Sequence, residues 1–134
     1  MMRGMKTTRS RASSGSPYEG TVGFSRAVRM GQHISVSGTA PIWPDGRVDP
    51  DALAQTRRCW DIALAALEEL GGAKEDVIRT RHYIVDPDSV DAVSQVHGEV
   101  FGGIRPASTI VVVSRLVDER WLVEVEVDAI VPKA

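Results

Sequence analysis

Arg105-Pro-Ala-Ser-Thr-Ile-Val-Val-Val-Ser-Arg-Leu116, followed by Leu122-Val-Glu-Val-Glu-Val-Asp-Ala-Ile130, is the part of the chain that decides the fold. Both runs are rich in β-branched residues, which suit a pleated, half-buried surface. The intervening Val117-Asp-Glu-Arg120 reads as the connection of a hairpin. In the second run Trp121, Val123, Val125, Val127, Ala129 and Val131 fall on one side, and Leu122, Glu124, Glu126, Asp128 and Ile130 on the other. The first side is wholly apolar and belongs under helices. The 107–116 run has no clearly polar side, because Ser108, Ile110, Val112, Ser114 and Leu116 alternate with Thr109, Val111, Val113 and Arg115. A strand apolar on both faces needs cover on both.

Upstream, two helices supply cover for one face. Asp49-Pro50 reads as an N-cap followed by proline in the first turn, and Leu53, Thr56, Trp60, Ala63, Leu64, Leu67 and Leu70 follow at helical spacing until Gly71-Gly72. Residues 77–85 alternate, with Ile78, Thr80, His82 and Ile84 assigned to the core side against Arg79, Arg81, Tyr83 and Val85. A second helix from Ser89 carries Val90, Val93, Val96, His97, Val100 and Phe101 to Gly102-Gly103. Residues 21–29 and 33–37 form two further strands joined around Met30-Gly31-Gln32, and Pro41-Ile-Trp-Pro-Asp-Gly46 is loop. The order is β-β-α-β-α-β-β, an α+β fold with two helices packed on one face of a mixed sheet. The uncovered face is expected to pack against another copy of the chain.

At 134 residues, 43% hydrophobic and 25% charged, the chain is the size of one domain. Its net charge of -2 is unevenly spread: Arg3, Lys6, Arg9 and Arg11 make the first 15 residues +4, which leaves the rest at -6. Residues 1–16 read as a disordered basic leader ahead of a single domain at 17–134. The leader lacks the apolar stretch of a secretory signal, and no apolar run approaches the ~20 residues that span a bilayer. An acidic body with 5% aromatic residues argues against nucleic acid as a partner. The lone Cys59 allows no internal disulfide, in keeping with a reducing, cytoplasmic setting. His33, His82 and His97 lie far apart in sequence and lack the close spacing of metal ligands. Gly71-Gly72 follows a helix instead of opening one, so it cradles no phosphate.

Gly23-Phe-Ser-Arg-Ala-Val28, Val36-Ser-Gly-Thr-Ala-Pro41 and the two terminal strand motifs together resemble the Rid/YjgF family of reactive-intermediate (imine and enamine) deaminases, also called endoribonuclease L-PSP. The resemblance runs from about residue 17 to 131. It implies a chorismate-mutase-like fold, a homotrimer with a central β-barrel, ligand clefts between subunits, and hydrolysis without a cofactor. In the deaminating members an Arg after the Pro-Ala pair clamps the substrate carboxylate, a bidentate task suited to guanidinium. Here that position is Ser108, with Thr109 beside it keeping a hydroxyl.

Carried over residue by residue, the resemblance makes Glu124 the catalytic carboxylate that positions or activates the attacking water. Glu126 and Asp128 would raise its pKa if all three shared a dry face. Ser37 and Gly38 are retained as polar and backbone ligand contacts. The family's Gly-Pro-Tyr-Ser opening becomes Val22-Gly23-Phe24-Ser25, so a cleft hydroxyl is lost at Phe24, and an Asn of the second helix becomes Ser94. Arg26 stands where Gln is usual and Arg81, on the strand face of Tyr83, where Thr is common; with Arg105 these are the candidates for a relocated guanidinium. The pattern resembles divergent members that lack the clamp and for which imino-acid deamination is not the expected activity. Two readings follow: hydrolysis of a small, anionic C=N metabolite of altered identity, or binding of a small metabolite without turnover. Endoribonuclease or translation inhibitor is a third, with little support in so acidic a body.

Overall fold

The computed structural model describes residues 8–133. Its sheet contains β1 (Arg9–Ala12), β2 (Ala27–Met30), β3 (His33–Thr39), β4 (Val77–Ile84), β5 (Ala107–Val112) and β6 (Val123–Ile130), with α1 (Ala52–Glu69) after β3 and α2 (Val90–Phe101) after β4. Strand order across the sheet is β1-β2-β3-β6-β4-β5. The α+β fold with two helices over one face is as the pattern implies.

Four local expectations change. The last two strands are not a hairpin: β5 pairs parallel with β4, and β6 lies antiparallel between β3 and β4. Parallel neighbours require a crossover, and α2 supplies it between β4 and β5. Residues 113–122 then carry the chain past β4, so that β6, with Val123, Val125, Val127 and Ala129 all buried, takes the central position.

The second change is in β4. Its pairing with β6 slips between Val77 and Arg79, so Val77 is 4% exposed and Ile78 is 50% exposed. One extra residue moves a side chain to the opposite face. Thr80, His82 and Ile84 keep the core side.

Third, part of the expected disordered leader is ordered. Residues 9–12 pair antiparallel with β2, whose backbone groups would otherwise be an open edge, and Ala12 joins the core. Residues 1–7 of that leader lie outside the described residues. The expected strand over 21–29 is correspondingly shorter, because a π-helical turn occupies Glu19–Gly23 before β2 begins.

Finally, the cap of α1 is Asp51, whose carboxylate accepts the Ala54 N–H at 3.0 Å. Asp49 instead accepts the indole N–H of Trp43 at 2.8 Å, which ties the 41–46 loop to the helix start.

α1 buries Cys59, Trp60, Ala63 and Leu67, and α2 buries Val93, Val96 and Phe101, against the apolar side of the sheet. Trp60 lies edge-on to Phe101 at 4.9 Å and to His82 at 5.4 Å between ring centroids, a favoured aromatic geometry. The other face carries Glu124, Glu126, Asp128 and Tyr83, and among the described residues no helix packs across it, although α1 reaches the depression that Glu124 lines. On β5, Val111 is 40% and Val112 53% exposed.

Candidate active site

A depression of about 670 Å³ brings the residues just before β2, β3 and β6 together with the 41–46 loop, α1 and the segment 14–18. Phe24, Arg26, Gly38 and Glu124 all line it. The register of β3 against β6 breaks between Val36 and Thr39, and Gly38 sits in that break directly over Glu124. A Cβ on Gly38 would stand 2.8 Å from Glu124 Oε2, so only glycine leaves room for the carboxylate.

Arg26 is held from below. Its Nη2 donates to the Gly38 carbonyl, and the guanidinium carbon lies 6.0 Å from the centre of the Phe24 ring, within cation–π reach. Its Nε is buried and has no partner among the described residues. A buried donor without an acceptor costs about 1–3 kcal/mol. Burial lowers the Arg26 pKa, opposed by the charges of Glu19 and Glu124.

Glu124 makes no hydrogen bond among the described residues. Burial raises its pKa, the Arg26 charge pulls it back, and Glu126 pushes it up again. A half-buried carboxylate of raised pKa beside a cation is a suitable proton acceptor near neutrality. The three carboxylates of β6 do not behave alike, however. The Tyr83 hydroxyl donates to Glu126, and Asp128 takes Arg81 Nη1 at 3.2 Å and Ser35 Oγ at 2.9 Å. Asp128 contributes nothing to the Glu124 shift. Glu124 alone is left free to act.

Other expected site residues fall elsewhere. Arg81 is spent on Asp128 and Tyr83 on Glu126, and neither lines the cleft. Ser37 uses its hydroxyl to hold the Ser25 carbonyl at 2.6 Å, which fixes the β2–β3 geometry beneath Arg26. Arg105 adopts φ 58 and ends α2 through its own N–H on the Phe101 carbonyl at 2.8 Å.

Ser94 and Ser108 line a separate depression of about 430 Å³ with His82, His97, Gly98 and Ile110. There Thr80 Oγ1 bonds Ser108 Oγ and His97 Nε2, each at 2.8 Å. Burial lowers the pKa of both histidines, that of His82 to about 4, so this pocket is uncharged at neutral pH. Thr109 offers its carbonyl to His82 Nδ1 at 3.3 Å and leaves its side chain exposed. Among the described residues, no three His, Cys, Asp or Glu side chains group to hold a metal ion, and no helix is long and apolar enough to cross a membrane.

Sequence reasoning missed the aromatic walls of the main cleft. Trp43 is flanked by Arg58 at 4.1 Å and Arg47 at 5.0 Å, and Trp121 presents a buried, unpartnered indole N–H. The sequence signal for Trp43 was an aromatic residue between two loop prolines. Trp121 offered none, because its alternation assigned it to the core.

The chain is thus a small α+β protein with a glycine-relieved carboxylate and an arginine lining one cleft. The family model for endoribonuclease L-PSP matches residues 16–131. An uncharacterized protein of Streptomyces coelicolor is 42% identical over 122 residues, 89% of this chain and 90% of its own. A RutC family protein of Pyrococcus abyssi is 35% identical, covering 82% of this chain and 86% of its own. The crystal structure of Rv2704 from Mycobacterium tuberculosis, described as a YjgF/YER057c/UK114 family member, superposes with a TM-score of 0.86 at 40% identity, over 92% of this chain and all of that one. The chain belongs to this endoribonuclease L-PSP family, the Rid/YjgF group.

Proposed function

We propose that the chain is a cofactor-independent hydrolase of a small anionic C=N metabolite, in which Arg26 takes over the carboxylate contact that Ser108 cannot make. The observation that carries this reading is the pairing, in one cleft, of an arginine with a free buried Nε and a carboxylate of raised pKa. Glu124 accepts a proton from water as its oxygen bonds to the imine carbon and the C=N π electrons move to nitrogen. The protonated Glu124 returns that proton to nitrogen, giving a carbinolamine; the carboxylate then takes the hydroxyl proton and passes it to nitrogen as C=O forms and the C–N bond breaks, so that ammonia leaves and Glu124 is again ionised. Gly38 leaves room for the carboxylate, and Arg26 fixes the substrate through its acid group.

The active form in this reading is a homo-oligomer, three copies by family likeness. Exposed Val111 and Val112 on an edge strand call for cover. The two depressions hold complementary halves of the expected site, Arg26 and Glu124 in one and Ser94 and Ser108 in the other. Residues of both halves share a ligand only if two copies meet there.

The test is release of ammonia and keto acid from freshly generated 2-iminopropanoate by wild type, Glu124→Gln, Arg26→Ala and Ser108→Arg. Acceleration by wild type and its loss in the first two variants is the expected result. A silent wild type that gains activity in Ser108→Arg would show that Arg26 does not replace the clamp. The loss of both the Phe24 hydroxyl and the Ser108 guanidinium favours a second reading, a metabolite-binding protein without turnover, and saturable binding with no product would establish it. RNA cleavage, which the family model's name suggests, draws no support from a cleft whose arginines are balanced by Asp61 and Glu124.

A further inference from the structure

We infer that the substrate carries a large apolar side chain, aromatic by preference, and that Trp121 is the residue that selects it. The inference rests on the reading of the cleft as an imine-hydrolysing site and names the substrate class that site takes. At about 670 Å³ the cleft is in the range of pockets that enclose drug-sized ligands. The imine of alanine has only about six non-hydrogen atoms and would leave the apolar part of that lining without contact.

Arg26 and Glu124 stand together at the Gly38 end, where the acid group and the reacting carbon must lie. Phe24, Ile42, Trp43, Ile62, Ala65 and Trp121 give the lining a large apolar surface, which it shares with Arg58, Asp61 and the segment 14–18. Trp43 is fixed by its hydrogen bond to Asp49 and by the two guanidinium groups stacked on it, so this wall is preformed. Replacement of the family's tyrosine by Phe24 removes a hydroxyl from the same surface. Preformed aromatic walls bind flat apolar groups at little ordering cost.

Trp121 adds a specific feature. Its indole Nε1 is buried without a partner, as is Arg26 Nε, and both residues line this cleft. Arg58 lies 4.1 Å from the centre of the Trp43 ring and donates through Nε to the Ile42 carbonyl at 3.0 Å, which ties it to the wall, and Asp61 adds a carboxylate to the same lining.

The experiment compares imines generated in place from alanine and from phenylalanine by an amino-acid oxidase, alongside equilibrium binding of propanoate and 3-phenylpropanoate followed by tryptophan fluorescence. The phenylalanine imine is expected to be favoured at least about tenfold in kcat/KM, the selectivity a few buried apolar groups give, with 3-phenylpropanoate favoured likewise in binding. Trp121→Phe should lose part of that preference, read as the ratio of kcat/KM for the two imines, and Trp121→Ala most of it. Trp43→Ala, in a loop, reports on the same wall if a Trp121 variant fails to fold. Equal or reversed preference in both assays overturns the inference. If neither imine is hydrolysed, the hydrolase reading fails, and the two carboxylates still decide between a large-side-chain site and a small one.

Discussion

Gly38→Ala separates the chemistry of the cleft from the stability of the fold. The added Cβ would sit 2.8 Å from Glu124 Oε2, at least about 0.6 Å inside ordinary van der Waals contact. The obstruction is the tip of a flexible side chain, so the carboxylate swings away and the backbone stays put. Gly38 does not have positive φ, and alanine at a compatible position stabilises by about 0.4–1 kcal/mol through the unfolded chain. That gain offsets most of the cost of a shifted rotamer, about 0.5–1.5 kcal/mol, and the melting temperature should move by no more than a few degrees. Catalysis has no such compensation. A displacement near 1 Å costs on the order of a hundredfold, and kcat/KM for imine hydrolysis should fall by about that factor while 3-phenylpropanoate binding to the aromatic wall survives. Thermal melting followed by circular dichroism and ammonia release measured on the same preparation make the comparison. Undiminished turnover in a well-folded Gly38→Ala protein would refute the placement of Glu124 as the base.

Other predictions follow from the same geometry. Because burial raises the Glu124 pKa in the fold, its ionisation costs stability as pH rises through that value; Glu124→Gln should therefore raise the melting temperature more at pH 7 than at pH 4. His82 is held neutral down to about 4 against a usual 6.5. The unfolded chain binds its proton first, so stability should fall from about pH 6.5 towards 4, and His82→Gln should flatten that slope in a pH series of melts. Val111→Lys places a charge on the uncovered sheet face and should shift the protein toward monomer in sedimentation, with imine hydrolysis lost in parallel. If Val111→Lys remains fully associated, that face is not the one the copies share.

The order of elements was legible because period-two and period-3.6 patterns are local properties of the chain. Which strands become neighbours was not, since alternation in 107–116 and 121–131 is the same whether those strands pair with each other or with β4. The slip at Ile78 escaped for a related reason: a bulge is defined by the partner strand, and the residue itself is an ordinary β-former. Arg9–Ala12 read as leader because its composition is polar, and only the open edge of β2 gives it a place. At the site, Phe24, Arg26, Gly38 and Glu124 were found from motif positions, and the structure brings them together. Arg81 and Tyr83 were drawn in by sharing a face, but that face also carries Asp128 and Glu126, which claim them.

The central position of β6 sets a condition on how the molecule is made. Its two neighbours, β3 and β4, are synthesised long before it and have no bond to each other in the sheet. Until residue 130 leaves the ribosome, both present open edges and an uncovered apolar side to α1, and most of the sheet's pairings between distant parts of the chain wait on that strand. The strand that closes the sheet also carries Glu124, so a chain cut short before it loses that carboxylate together with its core, and half-made copies lack the cleft that Glu124 lines.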